Sequence, residues 1–492
     1  MNGNVNAETL ALIKAAQSNP LDDAVNKAFT SAGNLVNYDL QPIALSLFPV
    51  LTPLRNIIPR VSGNGGNATN WKAITGINTA SLSAGISEGN RGGIVTTSSA
   101  DYTAAYRGIG LEDSVTFEAE YASEGFDDIK GKAAVNLLRA VMLQEERILL
   151  GGNSSILMGT AVTPTVTGSG SGGTLATQTL SVICVALSLE AVRSATVTGG
   201  IQLGFIRTNA DGTTDTINGG HSIKSASGTA SLTGPTASAT ASTTLVNGAF
   251  GYAWYWGVAG SELLGAITTI NSVSILANAA GTQNASVVGA GNDTGDQSRR
   301  TLIYDGLATQ IITPTSGSYN VSLATGTAGV GTPLTGDGAG GINELNTAFS
   351  SFWDNFRLSP DVMWVSGKTL TAASNLIIAN GGAPLVRFMS GDGGNSLNSG
   401  TVVKTVLNKI TNTQVEFRVH PDMPDGAILF WSSGVPYPLN GVGNILQVKT
   451  RKDYYQTEWP RRSRKYEYGV YADELLQNYF PPAFGMLRNI KV

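Results

Sequence analysis

The chain has 492 residues with 31 Lys and Arg against 35 Asp and Glu, a formal net charge of -4, only 13% charged residues and 60 glycines. That length is a prior for roughly two to four domains, and the acidic balance excludes a protein whose whole surface wraps nucleic acid, leaving only local contacts of that kind. A single cysteine, Cys184, excludes an internal disulfide framework and a cysteine-cluster metal site, and His221 with His420 are too few for a histidine-rich one.

In chain order, Met1-Asn2-Gly3-Asn4 has neither the basic start nor the apolar core of a secretory signal, and no run of about 20 apolar residues follows. A soluble chain made in the cytoplasm, with no membrane partner, is expected. Residues 1–60 read as an arm. Helical patches at Glu8 to Ala16 and Leu21 to Phe29 precede an extended path punctuated by Pro42, Pro49, Pro53 and Pro59, whose density blocks helix.

Residues 61–111 read as a two-stranded ribbon. Its first arm lies around Asn70 to Ile74 and its second runs from Ile94 to Leu111, which unbroken would reach about 60 Å. Neither face is apolar enough for a core, and a lone hairpin is marginal in water. The ribbon is therefore expected to lie on a neighbouring copy of the chain, with Trp71, Lys72, Arg91, Tyr102, Tyr106 and Arg107 as candidate contacts.

Within 112–151, Phe126, Ile129, Ala133, Leu137, Val141 and Ile148 recur near every 3.6 residues and predict one amphipathic helix of about 37 Å. Ser123 is the expected cap, Asp127, Asp128 and Arg147 suit the dipole, and Gly151-Gly152 stops it. The pairs Asp127-Asp128 and Glu145-Glu146 read as a solvated or inter-subunit face.

Residues 152–297 hold only 9 Asp, Glu, Lys and Arg, against 57 in the remaining 346, a shift that marks an insertion. Alternation at Ile183, Val185, Leu187 and Leu189, a strand at Ile201 to Arg207 turning at Asn209-Ala210-Asp211-Gly212, the row Phe250, Tyr252, Trp254, Trp256 and Val258, and Val273 with Ile275 predict an all-β, immunoglobulin-like sandwich. The aromatic row fits sandwich core better than a glycan-binding face.

After a connector at 298–340 the chain turns to ordinary α+β. Ile342, Leu345, Phe349, Phe352 and Phe356 predict a helix bounded by Pro360. A strand at Asp361 to Val365, a helix near Thr369 to Ala379, and strands around Val415 to Val419 and Ala427 to Trp431 complete 341–442. The block 443–492 reads as two or more long strands. It carries the densest charge, Lys449, Arg451, Lys452, Arg461, Arg462, Arg464 and Lys465. This is either one solvated face, or a surface for ion pairs with the acidic groups near Glu112 to Glu120 of another subunit or for packaged nucleic acid.

No catalytic constellation is visible. Gly168-Gly170-Gly173 lies in a Gly/Ser tract, and Gly336-Gly338-Gly341 lacks a preceding strand and includes Asp337, which would repel a pyrophosphate. Ser366-Gly367-Lys368-Thr369 imitates the end of a phosphate loop, but Val362 stands where its first glycine should be. A plain helix start is expected there.

The order of these parts is specific. With Glu145-Glu146-Arg147-Ile148-Leu149-Leu150-Gly151-Gly152-Asn153, the Tyr304-Asp305-Gly306-Leu307 turn, Ser359-Pro360-Asp361 leading into Val362-Met363-Trp364-Val365, and the final Tyr466 to Ile490, the chain resembles the major capsid proteins of tailed phages with the HK-97-like fold, over about residues 35–152 and 298–492. The resemblance implies an α+β fold: an N-terminal arm (1–60), an extended loop over the adjacent subunit (61–111), a spine helix of a peripheral domain (112–151), a peripheral connector (298–340), an axial domain (341–442) and C-terminal peripheral strands (443–492). The all-β sandwich (152–297) would decorate the outside.

It further implies a structural protein, not an enzyme, with no cofactor or metal. Homo-hexamers and homo-pentamers would build an icosahedral shell around non-specifically held double-stranded DNA, assembled in the host cytoplasm and ending in the virion. A separate scaffolding protein, a portal and a decoration protein are the implied partners, the first because no long scaffold segment precedes the arm. Cross-linking, which in some members uses a loop lysine, an Asn acceptor and a catalytic Glu, is not expected, since Lys72 is the only lysine of the loop and sits near its base. Two rival classes remain: an encapsulin-type compartment shell of the same fold, and a β-rich secreted adhesin, which would leave the long helix unexplained.

Overall fold

Two sheets of unlike character organise the body of the protein. The computed structural model describes residues 50–492 except 64, 79–83, 125–127, 210, 383–401, 436–442 and 462. The helical patches expected at Glu8 to Ala16 and Leu21 to Phe29, together with Phe126, Asp127, Ala210 and Arg462, lie outside the described residues. The architecture is mixed α+β.

The first sheet has six strands in the order Tyr319–Ser322, Phe484–Arg488, Ile428–Trp431, Val362–Val365, Thr413–Val419, Thr405–Asn408. Its two middle strands, Ile428–Trp431 and Val362–Val365, are buried at every position, which is why their sequences are unbroken apolar runs rather than alternating ones. Helix Asn343–Phe356 buries Leu345, Ala348, Phe349 and Phe352, and Phe430 of the sheet meets Phe349 and Phe352 with ring centres 6.1 and 5.8 Å apart. Each such fully buried ring contributes about 1.5–3 kcal/mol. The helix ends where Arg357 turns left-handed (φ 57°) and its N–H returns to Trp353 O. Helix Gly367–Ile377 starts on Ser366, whose Oγ accepts the Thr369 N–H.

The second sheet has four strands in the order Arg60–Ser62, Leu446–Glu458, Lys465–Asn478, Arg107–Thr116. Its centre is the long C-terminal hairpin of Leu446–Glu458 with Lys465–Asn478. Helix Ile129–Gly151 supplies Leu137, Val141, Ile148, Leu149 and Leu150 to the interior. Its last carbonyls face the start of helix Leu307–Ile312: Gly306 N–H and Thr309 Oγ1 both donate to Gly152 O, at 2.8 and 2.6 Å. Gly306 has to be glycine for this approach, because a Cβ there would lie 2.3 Å from Ile148 O.

Segment 115–132 belongs to a separate compact unit. In it, helix Phe117–Ser123 is capped by Thr116 Oγ1 on Ala119 N–H, and Ser123 Oγ donates to Glu120 O. Ser123 therefore ends this short helix instead of capping the long one. That cap is Asp128, whose Oδ1 accepts Gly131 N–H at 3.0 Å. A second correction concerns the arm. Pro53–Ile57 is a helical turn with Pro53 in its first turn, where the missing N–H costs nothing.

The low-charge region folds around two packed sheets, with a separate two-stranded pair beside them in sequence. One holds Ser272–Ile275, Ser238–Ser242 and Thr165–Ser169; the other holds Leu263–Thr268, Gly251–Gly257, Gln178–Leu187 and Gly228–Leu232. Val182, Cys184, Ala186, Tyr252, Trp254 and Trp256 pack between them against Ala239, Ala241, Val273 and Ile275. The aromatic row is therefore core up to Trp256, while Val258 is exposed. Strand Gln178–Leu187 does not alternate: Ile183, Val185 and Leu187 form a second core with Ala253, Tyr255 and Leu264 on the other face. Leu189 opens helix Leu189–Ser194 instead of continuing the strand. The strand expected from Ile201 begins only at Phe205 and pairs, as Phe205–Thr208, with Thr214–Ile217.

Candidate functional site

Strands Ala68–Asn78 and Thr96–Ala105 pair antiparallel, Ala68 opposite Ala105 and Asn78 opposite Thr96, with one register shift between Ile74 and Gly76. The first arm is thus longer than the sequence suggested. The second ends earlier, because the chain breaks pairing at Tyr106 and re-enters as Arg107–Thr116 in the four-stranded sheet.

The ribbon is joined to the body at its base. Trp71 Nε1 donates to Asn478 O at 3.0 Å, and its ring stacks on Tyr102 (5.8 Å) and meets Tyr479 edge-on (6.4 Å). Tyr106 is turned inward, with Thr69 Oγ1 donating to its Oη at 2.9 Å. Beyond the base three isoleucines are open to water: Ile74 is 70% exposed, Ile86 58% and Ile94 86%. Lys72 pairs across the ribbon with Asp101 at 3.5 Å, a solvated contact worth little. Arg91 is exposed and Arg107 half-buried.

A buried charge cluster ties helix Ile129–Gly151 to the four-stranded sheet, and here the reading of Glu145-Glu146 as a solvated face is corrected. Both are fully buried. Glu146 accepts the N–H groups of Leu54 and Arg55, each at 2.8 Å, which are free donors of the Pro53–Ile57 turn, and also His420 Nε2 at 2.7 Å. His420 Nδ1 accepts Asp422 N–H, so the ring donates from Nε2. Glu145 accepts Arg55 Nε at 2.8 Å and is also bonded by Arg60 and Tyr454 Oη. Arg60 Nη2 reaches Glu474 at 2.8 Å and Asp453 at 2.7 Å, and Tyr304 Oη donates to Glu474 at 2.7 Å.

Burial and the nearby Glu474 push the Glu145 carboxyl up to about 7, against the pull of Arg60 and Arg55. Burial works against the Arg60 charge, yet Asp453 and the two glutamates hold its pKa above the ordinary value. Burial and Glu474 raise Tyr304 far above the usual phenol range. Every member is partnered within the chain, as a buried ionic cluster must be to offset its desolvation. Its signal was spacing: Glu145 falls on the stripe Val141, Glu145, Ile148, so an inward charge was legible there.

The basic residues are spread along the C-terminal hairpin. Arg451 pairs with Asp473 at 2.9 Å, Lys452 Nζ lies 3.9 Å from the Tyr455 ring centre, and Lys449 is half-buried. Near the turn, Arg461 stacks on Tyr466 at 4.4 Å, Lys465 pairs with Glu467 at 2.5 Å, and Arg464 is exposed. Glu112, the expected partner of another subunit's bases, here accepts the Tyr471 hydroxyl.

The phosphate-like motifs are occupied by the chain itself. Asp337 Oδ1 accepts Ala339 and Gly341 N–H, both at 2.8 Å, and Lys409 holds its carboxyl well below the usual range. A phosphate would find that place already filled by a carboxylate. Lys368 is bonded to Asp425 at 2.8 Å. Among the described residues no three His, Cys, Asp or Glu side chains gather as a metal site requires, and no helix is long and apolar enough to cross a membrane.

No protein-family model and no curated protein matches the sequence. Solved structures do. The chain is similar to the capsid of a native GTA particle at 11% identity, covering 95% of this chain and 99% of that one with a TM-score of 0.42. It is similar to the cyanophage A-1(L) capsid at 9% identity, with 95% and 99% covered and a TM-score of 0.41. It is also similar to the capsid of Myoviridae phage XM1 at 9% identity, with 91% and 95% covered and a TM-score of 0.40.

Proposed function

We propose that this chain is the major capsid protein of a tailed phage, a structural subunit without catalysis that forms hexamers and pentamers of an icosahedral shell around double-stranded DNA. The observation that carries the reading is the ribbon: ten residue pairs of antiparallel backbone, with Ile74 on one strand and Ile94 just before the other left open to water. Isolated hairpins of this kind are marginal, and exposed apolar side chains on a regular element mark a surface that another molecule covers. A neighbouring copy is the simplest cover, and repetition of one such contact closes a shell.

The rest of the assignment follows the same plan. Residues 61–111 act as the extended loop, 112–151 carry the spine helix, 341–442 form the axial domain and 443–492 return to the peripheral domain. The sandwich at 152–297, immunoglobulin-like, sits on the outer surface. Lys449, Arg451, Lys452, Arg461, Arg462, Arg464 and Lys465 serve inter-subunit contacts or the packaged DNA, non-specifically. Scaffolding, portal and decoration proteins are the partners, and the chain ends in the virion after assembly in the host cytoplasm.

Electron microscopy of the high-molecular-weight fraction tests this, with the chain expressed alone and beside its genomic neighbours. Shells or five- and six-membered rings are expected. Deleting Gly76 to Arg91 should leave soluble protein that forms neither. Persistently monomeric protein in both preparations, or shells of normal yield from the deletion, would overturn the reading.

A further inference from the structure

Arg488, the last residue of strand Phe484–Arg488, is only 8% exposed and has no carboxylate within ion-pair distance among the described residues. Its Nη1 donates to Ala249 O at 2.9 Å and its Nη2 to Asn320 Oδ1 at 3.0 Å, and its guanidinium lies 5.3 Å from the Phe250 ring centre. Its Nε–H has no acceptor. Buried arginines are ordinarily paired, because an uncompensated interior charge is costly. Burial draws this one down to about 10.

Beside it lies a cavity of about 20 Å³, lined among others by Tyr252, Thr269, Ser322 and Arg488. That is room for one small molecule or ion. The Tyr252 hydroxyl accepts Val246 N–H at 3.1 Å, which leaves its own proton without an acceptor among the described residues. Asp425 also borders the cavity, but its two oxygens are held by Ser366 Oγ at 2.7 Å and Lys368 Nζ at 2.8 Å. The cavity is thus bordered by a buried cation with an idle N–H and by an idle phenolic O–H, and its one carboxylate is already neutralised.

We propose that this cavity binds a single small monovalent anion of the chloride class, held by Arg488 and Tyr252. Both idle groups are donors, so an acceptor with no protons of its own satisfies them with nothing left over. Tyr252 belongs to the sandwich and Arg488 to the six-stranded sheet, so the anion fastens the inserted region to the body. The fastening lies beside the reciprocal amide pair Asn271–Asn489, in which Asn271 N–H donates to Asn489 Oδ1 at 3.0 Å and Asn489 Nδ2 to Asn271 Oδ1 at 3.1 Å.

The test uses the full-length protein crystallised with bromide replacing chloride. An anomalous peak between Arg488 and Tyr252 is expected, and a cavity without one overturns the proposal. Melting in chloride against gluconate at equal ionic strength gives a second readout. The wild type should gain Tm as chloride rises, and Tyr252→Phe, which keeps the ring in the core, should lose most of that gain. Equal gains in both proteins would also overturn it. Arg488→Gln is the harsher variant and is not needed for the decision.

Discussion

The ribbon and the C-terminal hairpin are both long antiparallel pairs, yet they differ in what covers their side chains. In the hairpin, Leu446–Glu458 and Lys465–Asn478 are flanked on either edge by Arg60–Ser62 and Arg107–Thr116, and Ala472, Leu475, Leu476 and Val448 are buried. In the ribbon, Thr96 to Ser99 are all exposed, and Trp71 ties the base to the body. Backbone pairing satisfies hydrogen bonds equally in both, so it does not separate them. Side-chain burial does, and it divides the molecule into a part whose stability is internal and a part that leaves apolar side chains open to water.

That division makes the largest expected effect a folding one beneath the hairpin. Glu146→Ala leaves the Leu54 and Arg55 N–H groups and His420 Nε2 buried without their acceptor. A loss of about 3–5 kcal/mol is expected, as for a broken buried pair, read from the denaturant midpoint. Glu146→Gln should lose less, since its amide oxygen still accepts. A loss below about 1 kcal/mol for the alanine variant would mean that the cluster is not a lock and would blur the contrast with the ribbon.

Glu145 offers a gentler probe of the same cluster. Its carboxyl is raised from 4.5 to about 7 in the folded state, chiefly by burial and by Glu474. Between those values the folded protein holds a proton that the unfolded chain releases. Its contribution therefore favours folding below 4.5 and is lost as pH rises through about 7. Glu145→Gln, a permanent mimic of the protonated form, should flatten the dependence of Tm on pH across that window. An unchanged slope would assign the proton elsewhere in the cluster.

How far the sequence could be read follows from the same physics. Leu345, Phe349 and Phe352 announced their helix because one face is apolar and the other is not, and Val362 to Val365 announced a buried strand by being apolar throughout. The two-sided burial of Gln178–Leu187 was missed because alternating and fully buried strands look alike over a few residues. Ser123 was misplaced as a cap because a serine before an apolar repeat signals a helix start, whereas here it closes the preceding helix. The buried cluster was hidden for a different reason. Its members Arg55, Arg60, Glu145, Glu146, His420 and Glu474 are scattered over the chain, and a charge read alone looks solvated. Only the Val141, Glu145, Ile148 spacing pointed inward. Likewise Arg488 and Tyr252, remote in sequence, meet at one cavity only through the fold.

The smallest stability effect, and the sharpest use of the contrast, comes from the ribbon itself. Ile74 and Ile94 are 70% and 86% exposed, so replacing both by serine removes almost no burial within the chain. A change within about 0.5 kcal/mol is expected from unfolding curves. If those side chains are covered by a neighbouring copy, each forfeits apolar area at every contact in the assembly, about 25 cal/mol per Å², and shell yield should fall while the monomer melts as before. A double variant that assembles normally would show that the ribbon's apolar side chains are not what a partner recognises. The contact would then rest on its backbone edges and on the exposed Arg91.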